Sequence, residues 1–163
     1  MKAEVVHTIG VYGADADGFL DALREHRVDL LCDVRARRGV RGARYAFANA
    51  RRLQELLADA GIAYLHLPEL ATTDEMRDRQ HAADRAAGVG QRSRTRLSDE
   101  VARSYAALVA GTPAREALER VHRSAERPCL MCVEREPAAC HRSIAAAALA
   151  EAQGVEVVHL IPG

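Results

Sequence analysis

Apolar residues recur along the chain in short unbroken runs, and amphipathic or polar segments separate these runs. An unbroken run of roughly four to eight apolar residues is typical of a strand that is buried on both faces of a sheet. Five runs of this kind predict strands at residues 4–9, 28–34, 62–67, 128–133 and 155–161. Segments with helical spacing or a capping residue predict helices at 15–26, around 53–61, at 73–87, from 98, from 113 and at 138–152. Glycine-containing stretches predict loops at 35–49 and 88–96, the second of them basic and mobile.

Strands that alternate with helices predict a parallel sheet, because each parallel connection needs a crossover that a helix commonly provides. We therefore predict an α/β fold, a three-layer Rossmann-like sandwich of about five mostly parallel strands with helices on both faces. A chain of 163 residues is long enough to bury its own apolar core. No linker or internal repeat divides it, so residues 1–163 are predicted to be one α/β domain.

Charge and cysteine content narrow the classes of function. The chain carries 23 basic and 23 acidic side chains, and this balance argues against a general nucleic-acid-binding protein. No segment approaches the roughly 18 consecutive apolar residues of a membrane span, so we expect no membrane partner. The four cysteines are too few and too unevenly spaced for the disulfide framework of a secreted protein. We therefore expect a soluble, cytoplasmic protein.

Polar residues follow the carboxyl ends of four predicted strands. Ligands of open parallel sheets bind outside those ends, so side chains placed there converge on one rim. The residues concerned are Tyr12 after the first strand, Asp33 and Arg35 after the second, His66 at the third, and Cys132 and Glu134 after the fourth. This arrangement predicts that they meet at one binding site.

The segment from Cys132 to Ser143 (CVEREPAACHRS) holds the most chemically versatile residues. It joins the fourth predicted strand to a helix whose first turn lies close to Cys140, His141 and Arg142. A helix N-terminus attracts anions and stabilises a thiolate, because its N–H groups are unpaired and its dipole is positive there. An adjacent histidine suits proton transfer, and an arginine suits a phosphate or carboxylate.

A second segment, residues 35–52, is rich in arginine. It contains seven arginines and no acidic residue, and Tyr45 and Phe47 are interleaved with them. Arginines beside aromatic rings can hold phosphate groups and stack on bases. Arg38, Arg41 and Tyr45 are therefore predicted to contact an anionic ligand.

The chain resembles domain-of-unknown-function family 488 over essentially its whole length. The matching pieces are Thr8-Ile9-Gly10, Asp33-Val34-Arg35, residues 64–70 (YLHLPEL) and residues 132–143. The cysteine–histidine–arginine motif at the end of the last piece is the most specific of them. Many members have His-Ser after Thr-Ile-Gly where this chain has Val11-Tyr12, so a role of that histidine does not carry over. The resemblance implies an α/β fold and site residues in these motifs, and it implies no reaction.

These residues favour an enzyme that acts on an anionic substrate, either phosphorylated or nucleotide-like. Cys132 or Cys140 is predicted to be the nucleophile or redox group, and His141 the proton carrier. Asp33 is predicted to orient a histidine or a substrate hydroxyl. The predicted substrate contacts are the arginine clamp of Arg142 and Arg35, together with Ser143, Tyr12, His66, Glu134, Arg38, Arg41 and Tyr45.

A metal site is the first alternative. Cys132, Cys140 and His141 would be ligands, and His66 or Asp33 would complete a tetrahedron. The spacing argues against it, because seven residues separate the two cysteines and the histidine directly follows the second one. That pattern matches no standard structural zinc motif.

A nucleic-acid-binding module is the second alternative. It would use residues 35–52 and 91–96, and its affinity would fall steeply with salt. The neutral net charge argues against it. The sequence identifies no cofactor and no oligomeric state.

Overall fold

The computed structural model describes residues 3–163 and confirms the predicted class of fold. In this part of the chain, five strands form one parallel sheet: β1 (Val6–Gly10), β2 (Leu30–Asp33), β3 (Ala63–His66), β4 (Pro128–Cys132) and β5 (Val157–Leu160). Their order across the sheet is β3-β2-β4-β1-β5. Because all strands run the same way, their carboxyl ends lie at one edge.

Helices connect the strands and cover both faces of the sheet. They are α1 (Ala16–Glu25), α2 (Ala50–Asp59), α3 (Asp74–Ala87), α4 (Asp99–Ala110), α5 (Thr112–Ser124) and α6 (Arg142–Gln153). The side chains of Asp15, Thr73 and Ser98 accept hydrogen bonds from the first turns of α1, α3 and α4, as N-cap residues do. No helix in residues 3–163 is long and apolar enough to cross a bilayer.

Alternate side chains of the strands build two apolar layers. On one face, Leu31 and Met131 pack with residues of α1 and α2, including Phe19 and Leu53. On the other face, strand residues such as Leu130 pack with Tyr105 and other residues of α4, α5 and α6. The strand runs are apolar throughout because both faces are covered.

Two segments differ from their predicted structure, and a third contains ion pairs that the sequence did not predict. The predicted loop at 35–49 contains a short 3₁₀ helix, Ala43–Ala48, which buries Tyr45. The helix predicted from residue 138 begins at Arg142, because a 3₁₀ turn at Pro137–Ala139 leads into an extended backbone at Cys140. The segment 88–96 is a loop as predicted, and within it the buried guanidinium of Arg94 pairs with two carboxylates.

Gly10, at the end of β1, allows the turn after β4 to approach the sheet. A Cβ atom at this position would overlap the carbonyl oxygen of Glu134, and it would lie 3.2 Å from Nη2 of Arg142. The glycine is therefore required by the close approach of two backbones. This contact places the segment that follows β4 directly over the end of β1.

Candidate functional site

A cavity of about 780 Å³ opens at the carboxyl ends of β2 and β4, and we call it the rim cavity. Its walls come from the segments after β1, β2 and β4, from α3 and from residues 90–97. The volume lies within the range of small-molecule sites. Six residues predicted from the sequence line it: Tyr12, Arg35, Arg41, Cys132, Glu134 and His141.

The other seven predicted residues are not in the lining of the rim cavity, as far as the described residues show. They are Asp33, Arg38, Tyr45, His66, Cys140, Arg142 and Ser143. Most of them contact lining residues or hold the segments that carry them, as the following hydrogen bonds show. The predicted residues therefore fall into two groups, those that line the rim cavity and those that lie behind its lining. The sequence did not distinguish the two groups.

Two cysteines and a histidine form a buried cluster at the wall of the rim cavity. Nδ1 of His141 lies 3.9 Å from Sγ of Cys132 and 3.8 Å from Sγ of Cys140. All three atoms lie within 4.8 Å of one another. Cys132 ends β4, whereas Cys140 and His141 immediately precede α6, so the cluster joins a strand to the start of a helix. We call these three residues the Cys–Cys–His cluster.

A backbone hydrogen bond sets the tautomer of His141. Its Nε2 lies 2.8 Å from the carbonyl oxygen of Val34, which can only accept a hydrogen bond. Nε2 therefore carries the hydrogen, and in the neutral ring Nδ1 presents a lone pair to the two sulfur atoms. The ring also packs edge-on against Tyr105, with 5.0 Å between ring centroids.

Without a metal ion, the cluster favours one thiolate beside an imidazolium. Burial alone would raise the pKa of Cys140, but a hydrogen bond from Cys132 and the charges of His141 and Arg142 lower it well below its usual value. The hydrogen bond to Cys140, together with burial, raises the pKa of Cys132. Burial lowers the pKa of His141, but the negative charge of Cys140 outweighs it and raises that pKa. The two thiols therefore share one proton.

In the described part of the chain, Asp33 orients an arginine and not a histidine. Its Oδ1 lies 2.9 Å from Nε of Arg35 and its Oδ2 lies 2.8 Å from Nη2, a bidentate pair. The hydroxyl of Tyr64 donates to Oδ2 at 2.7 Å. His66 donates from Nε2 to the carbonyl oxygen of Arg35 at 3.1 Å. These bonds fix Arg35, whose Nη1 has no partner among the described residues.

Glu134 belongs to an ion-pair network that the sequence did not reveal. Nη2 of Arg94 lies 2.6 Å from Oε1 of Glu134, and Nη1 of Arg94 lies 2.9 Å from Oδ2 of Asp84. All three side chains are buried. Gln80 donates to Asp84 at 2.8 Å. Burial and the negative charge of Cys140 raise the pKa of Glu134 to about 7, although Arg94 opposes the rise. The only signal in the sequence is the four-residue spacing of Gln80 and Asp84, which is ordinary on a polar helix.

Arg142 lies behind the wall of the rim cavity. It is completely buried, and Nη1 donates to the carbonyl oxygen of Glu134 at 2.5 Å while Nη2 donates to that of Arg135 at 3.2 Å. Ser143 donates to the carbonyl oxygen of Cys140 at 2.9 Å. Both residues thus hold the backbone on which the Cys–Cys–His cluster and Glu134 are placed.

Arginine and tyrosine side chains form the mouth of the rim cavity. The guanidinium of Arg92 lies over the rings of Tyr12 and Tyr45, 5.0 and 5.3 Å from their centroids. Three exposed or lining arginines, Arg37, Arg41 and Arg92, form no salt bridge with any carboxylate in the described part of the chain. An excess of unpaired cations around a cavity attracts anions. Arg38 instead lies against Tyr64, where its Nη1 donates to the hydroxyl at 3.4 Å.

Comparison with known proteins gives one finding. A family model described as "Domain of unknown function DUF488" matches residues 15–149. The matched span contains α1, β2, β4 and the whole Cys–Cys–His cluster. No curated protein and no solved structure matches the chain.

Proposed function

The chain belongs to the family DUF488, and from that premise we propose that it is an enzyme acting on an anionic small molecule, phosphorylated or nucleotide-like, in the rim cavity. One observation carries the proposal: the Cys–Cys–His cluster and the unpaired arginines lie around the same cavity. Clefts that combine reactive side chains with convergent polar groups are the usual form of an active site.

The anionic part of the ligand is assigned to the arginines. Arg37, Arg41 and Arg92 reach the rim cavity without a carboxylate partner in the described chain, and arginine binds phosphate through a bidentate fork. Arg35 adds a buried N–H group that lacks a partner there. Tyr12 supplies an aromatic face beside these cations, which favours a ligand with a planar ring.

The reactive group is the Cys–Cys–His cluster. Cys132 and His141 reach the rim cavity, whereas Cys140 lies behind them. As free thiols, the cysteines would act as nucleophiles, with His141 as the proton carrier. As ligands of a metal ion, they would instead activate a bound water or substrate oxygen. Both kinds of chemistry require Cys132 and His141, so these two residues test the enzymatic part of the proposal.

Calorimetric titration with a panel of ligands tests the binding part. The panel comprises orthophosphate, pyrophosphate, adenosine, adenosine 5′-monophosphate and a single-stranded RNA oligonucleotide. We expect saturable one-to-one binding of the mononucleotide that is tighter than binding of adenosine or orthophosphate. The absence of saturable binding by any phosphorylated ligand would contradict the proposal. Affinity that rises with oligonucleotide length and falls steeply with salt would support the nucleic-acid-binding alternative instead.

Turnover of the bound ligands tests the enzymatic part. It is followed as release of orthophosphate or of free base, at enzyme concentrations that detect one turnover per hour. Cys132→Ala and His141→Gln are each expected to abolish turnover while the mononucleotide still binds. A wild-type protein that binds the panel but turns over none of its members would be a binding protein and not this enzyme.

A further inference from the structure

We infer that the Cys–Cys–His cluster is a binding site for a divalent zinc-like ion, with one coordination position open to the rim cavity. The inference rests on the proposed function, because it names the cofactor of that same site. Three observations carry it: the spacing of the donor atoms, the orientation of His141, and the absence of a fourth protein ligand in the described chain.

The spacing of the donor atoms fits a tetrahedral ion. Bond lengths of about 2.3 Å to sulfur and about 2.0–2.1 Å to nitrogen imply sulfur–nitrogen separations of about 3.6 Å around a tetrahedral zinc. The observed separations from Nδ1 of His141 are 3.9 Å to Cys132 and 3.8 Å to Cys140. Both sulfur–nitrogen separations therefore exceed the tetrahedral value by only a few tenths of an ångström.

The orientation of His141 is that of a metal ligand. Histidines that bind metals donate their second N–H to a backbone carbonyl or a carboxylate, and this bond fixes the ring and its tautomer. His141 makes that bond to Val34 at 2.8 Å, and its Nδ1 faces both sulfur atoms. Tyr105 packs against the ring edge and Ser143 holds the Cys140 backbone, so the donor atoms are set before any ion binds.

The cluster provides three ligands, and neither residue predicted to complete it does so. The carboxylate of Asp33 accepts hydrogen bonds from Arg35 and Tyr64, and His66 donates to a backbone carbonyl. Three protein ligands with an open fourth position are typical of catalytic zinc, whereas structural sites have four. Because Cys132 and His141 line the rim cavity, the open position faces it. A water molecule or an anionic oxygen of the ligand would fill it.

Charge also favours a divalent ion here. Two thiolates and one neutral imidazole balance the charge of a 2+ ion, so binding buries no net charge in this apolar layer. Arg142, buried behind the cluster, donates its hydrogen bonds to carbonyl oxygens and not to either sulfur atom.

The test is cobalt binding by reduced, metal-free protein purified without a metal-affinity tag. We expect one Co²⁺ per chain, with thiolate-to-cobalt absorption in the near ultraviolet and the strong visible bands of tetrahedral cobalt, and displacement by Zn²⁺. Cys132→Ser, Cys140→Ser and His141→Gln should each weaken cobalt binding on the order of 100-fold or more. The matched controls Cys32→Ala and Cys129→Ala remove buried cysteines outside the cluster. These two variants should bind cobalt with the wild-type affinity.

Far-ultraviolet circular dichroism of every variant separates lost ligands from lost fold. A folded wild-type protein without stoichiometric cobalt, or one whose cobalt spectrum survives in Cys132→Ser, would overturn the metal site and leave the thiols as the reactive group. Nucleotide binding by the metal-free protein would leave the proposed function standing in that case. Cobalt binding without binding of any phosphorylated ligand of the panel would support the metal site and contradict the proposed substrate class.

Discussion

Nε2 of His141 donates to the carbonyl oxygen of Val34 across 2.8 Å, and this bond ties the start of α6 to the end of β2. The sheet order places β2 beside β4, which ends at Cys132. The hydrogen bond therefore fixes Nδ1 relative to both strands and points it at the sulfur atoms of Cys132 and Cys140. Both the proposed chemistry and the proposed metal site depend on this relationship.

Substitution of His141 separates the two functions of its ring. Glutamine places a donor near the position of Nε2 and lacks the equivalent of Nδ1, whereas alanine lacks both. We expect His141→Gln to lose cobalt binding with a small change in unfolding free energy. His141→Ala should cost a further 1–3 kcal/mol, approximately the penalty of a buried carbonyl left without a partner. Urea denaturation monitored by circular dichroism measures the unfolding free energies of the two variants. Equal stabilities would contradict the role of the hydrogen bond from His141 to Val34.

Arg94 is expected to be the most important residue of its loop for stability. Arg94→Met leaves the carboxylates of Asp84 and Glu134 buried without their cation, which should lower the unfolding free energy by about 3–5 kcal/mol. Arg96→Met is the matched control, because its pair with Asp99 is exposed and should contribute less than about 1 kcal/mol. Similar losses in both variants would mean that the buried network does not anchor the loop.

Gly10 is expected to tolerate no side chain. Gly10→Ala forces a methyl group against the carbonyl oxygen of Glu134, which should cost at least about 2 kcal/mol and displace the turn after β4. Gly39→Ala is the control, since its Cβ would lie 3.9 Å from Oδ1 of Asn49, an ordinary contact. Thermal unfolding of the two variants checks the difference, and a Gly10→Ala protein as stable as wild type would refute the close approach of the two backbones.

Buried His7 is expected to make the fold sensitive to acid. Burial lowers its pKa, with Arg127 and His26 acting in the same direction and the hydrogen bond to Pro128 and the charge of Asp29 opposing. The unfolded chain therefore takes up this proton first as the pH falls below about 6.5, and stability is lost as the pH falls further through the folded pKa. His7→Leu should lose less unfolding free energy than wild type between about pH 7 and pH 5. The exposed His81→Leu should keep the wild-type slope, and equal slopes in all three proteins would exclude His7 as the cause.

The fold was largely predictable because the strand runs are apolar on both faces. Apolar runs, helical spacing and capping residues located the five strands and six α-helices of the described chain, but not its 3₁₀ helices. The rule for parallel sheets placed Tyr12, Arg35, Cys132 and Glu134 at one rim. The start of α6 was misplaced, because Pro137 to Ala139 is compatible with a helix and gives no sign that Cys140 is extended. This detail matters, since an extended Cys140 turns its sulfur toward His141.

The different structural roles of the charged residues were not predictable from the sequence. Arg142, Arg35 and Arg94 carry the same side chain, and the sequence gives no measure of burial for any of them. Contacts distant in sequence decide their roles, such as Arg94 with Asp84 and Glu134. A loop that is basic and rich in glycine therefore contains two buried ion pairs that its own sequence does not indicate.

The most direct test of the central claim compares two exposed arginines of the same segment. Arg41 lines the rim cavity, whereas Arg51 lies on α2 and pairs with Glu55 at 3.6 Å. Calorimetry with adenosine 5′-monophosphate should show an affinity about tenfold weaker for Arg41→Ala, consistent with one lost charged hydrogen bond of roughly 1.4 kcal/mol or more. Arg51→Ala should bind as wild type does. Equal losses in both variants, or no change in Arg41→Ala, would contradict an anionic ligand held in the rim cavity.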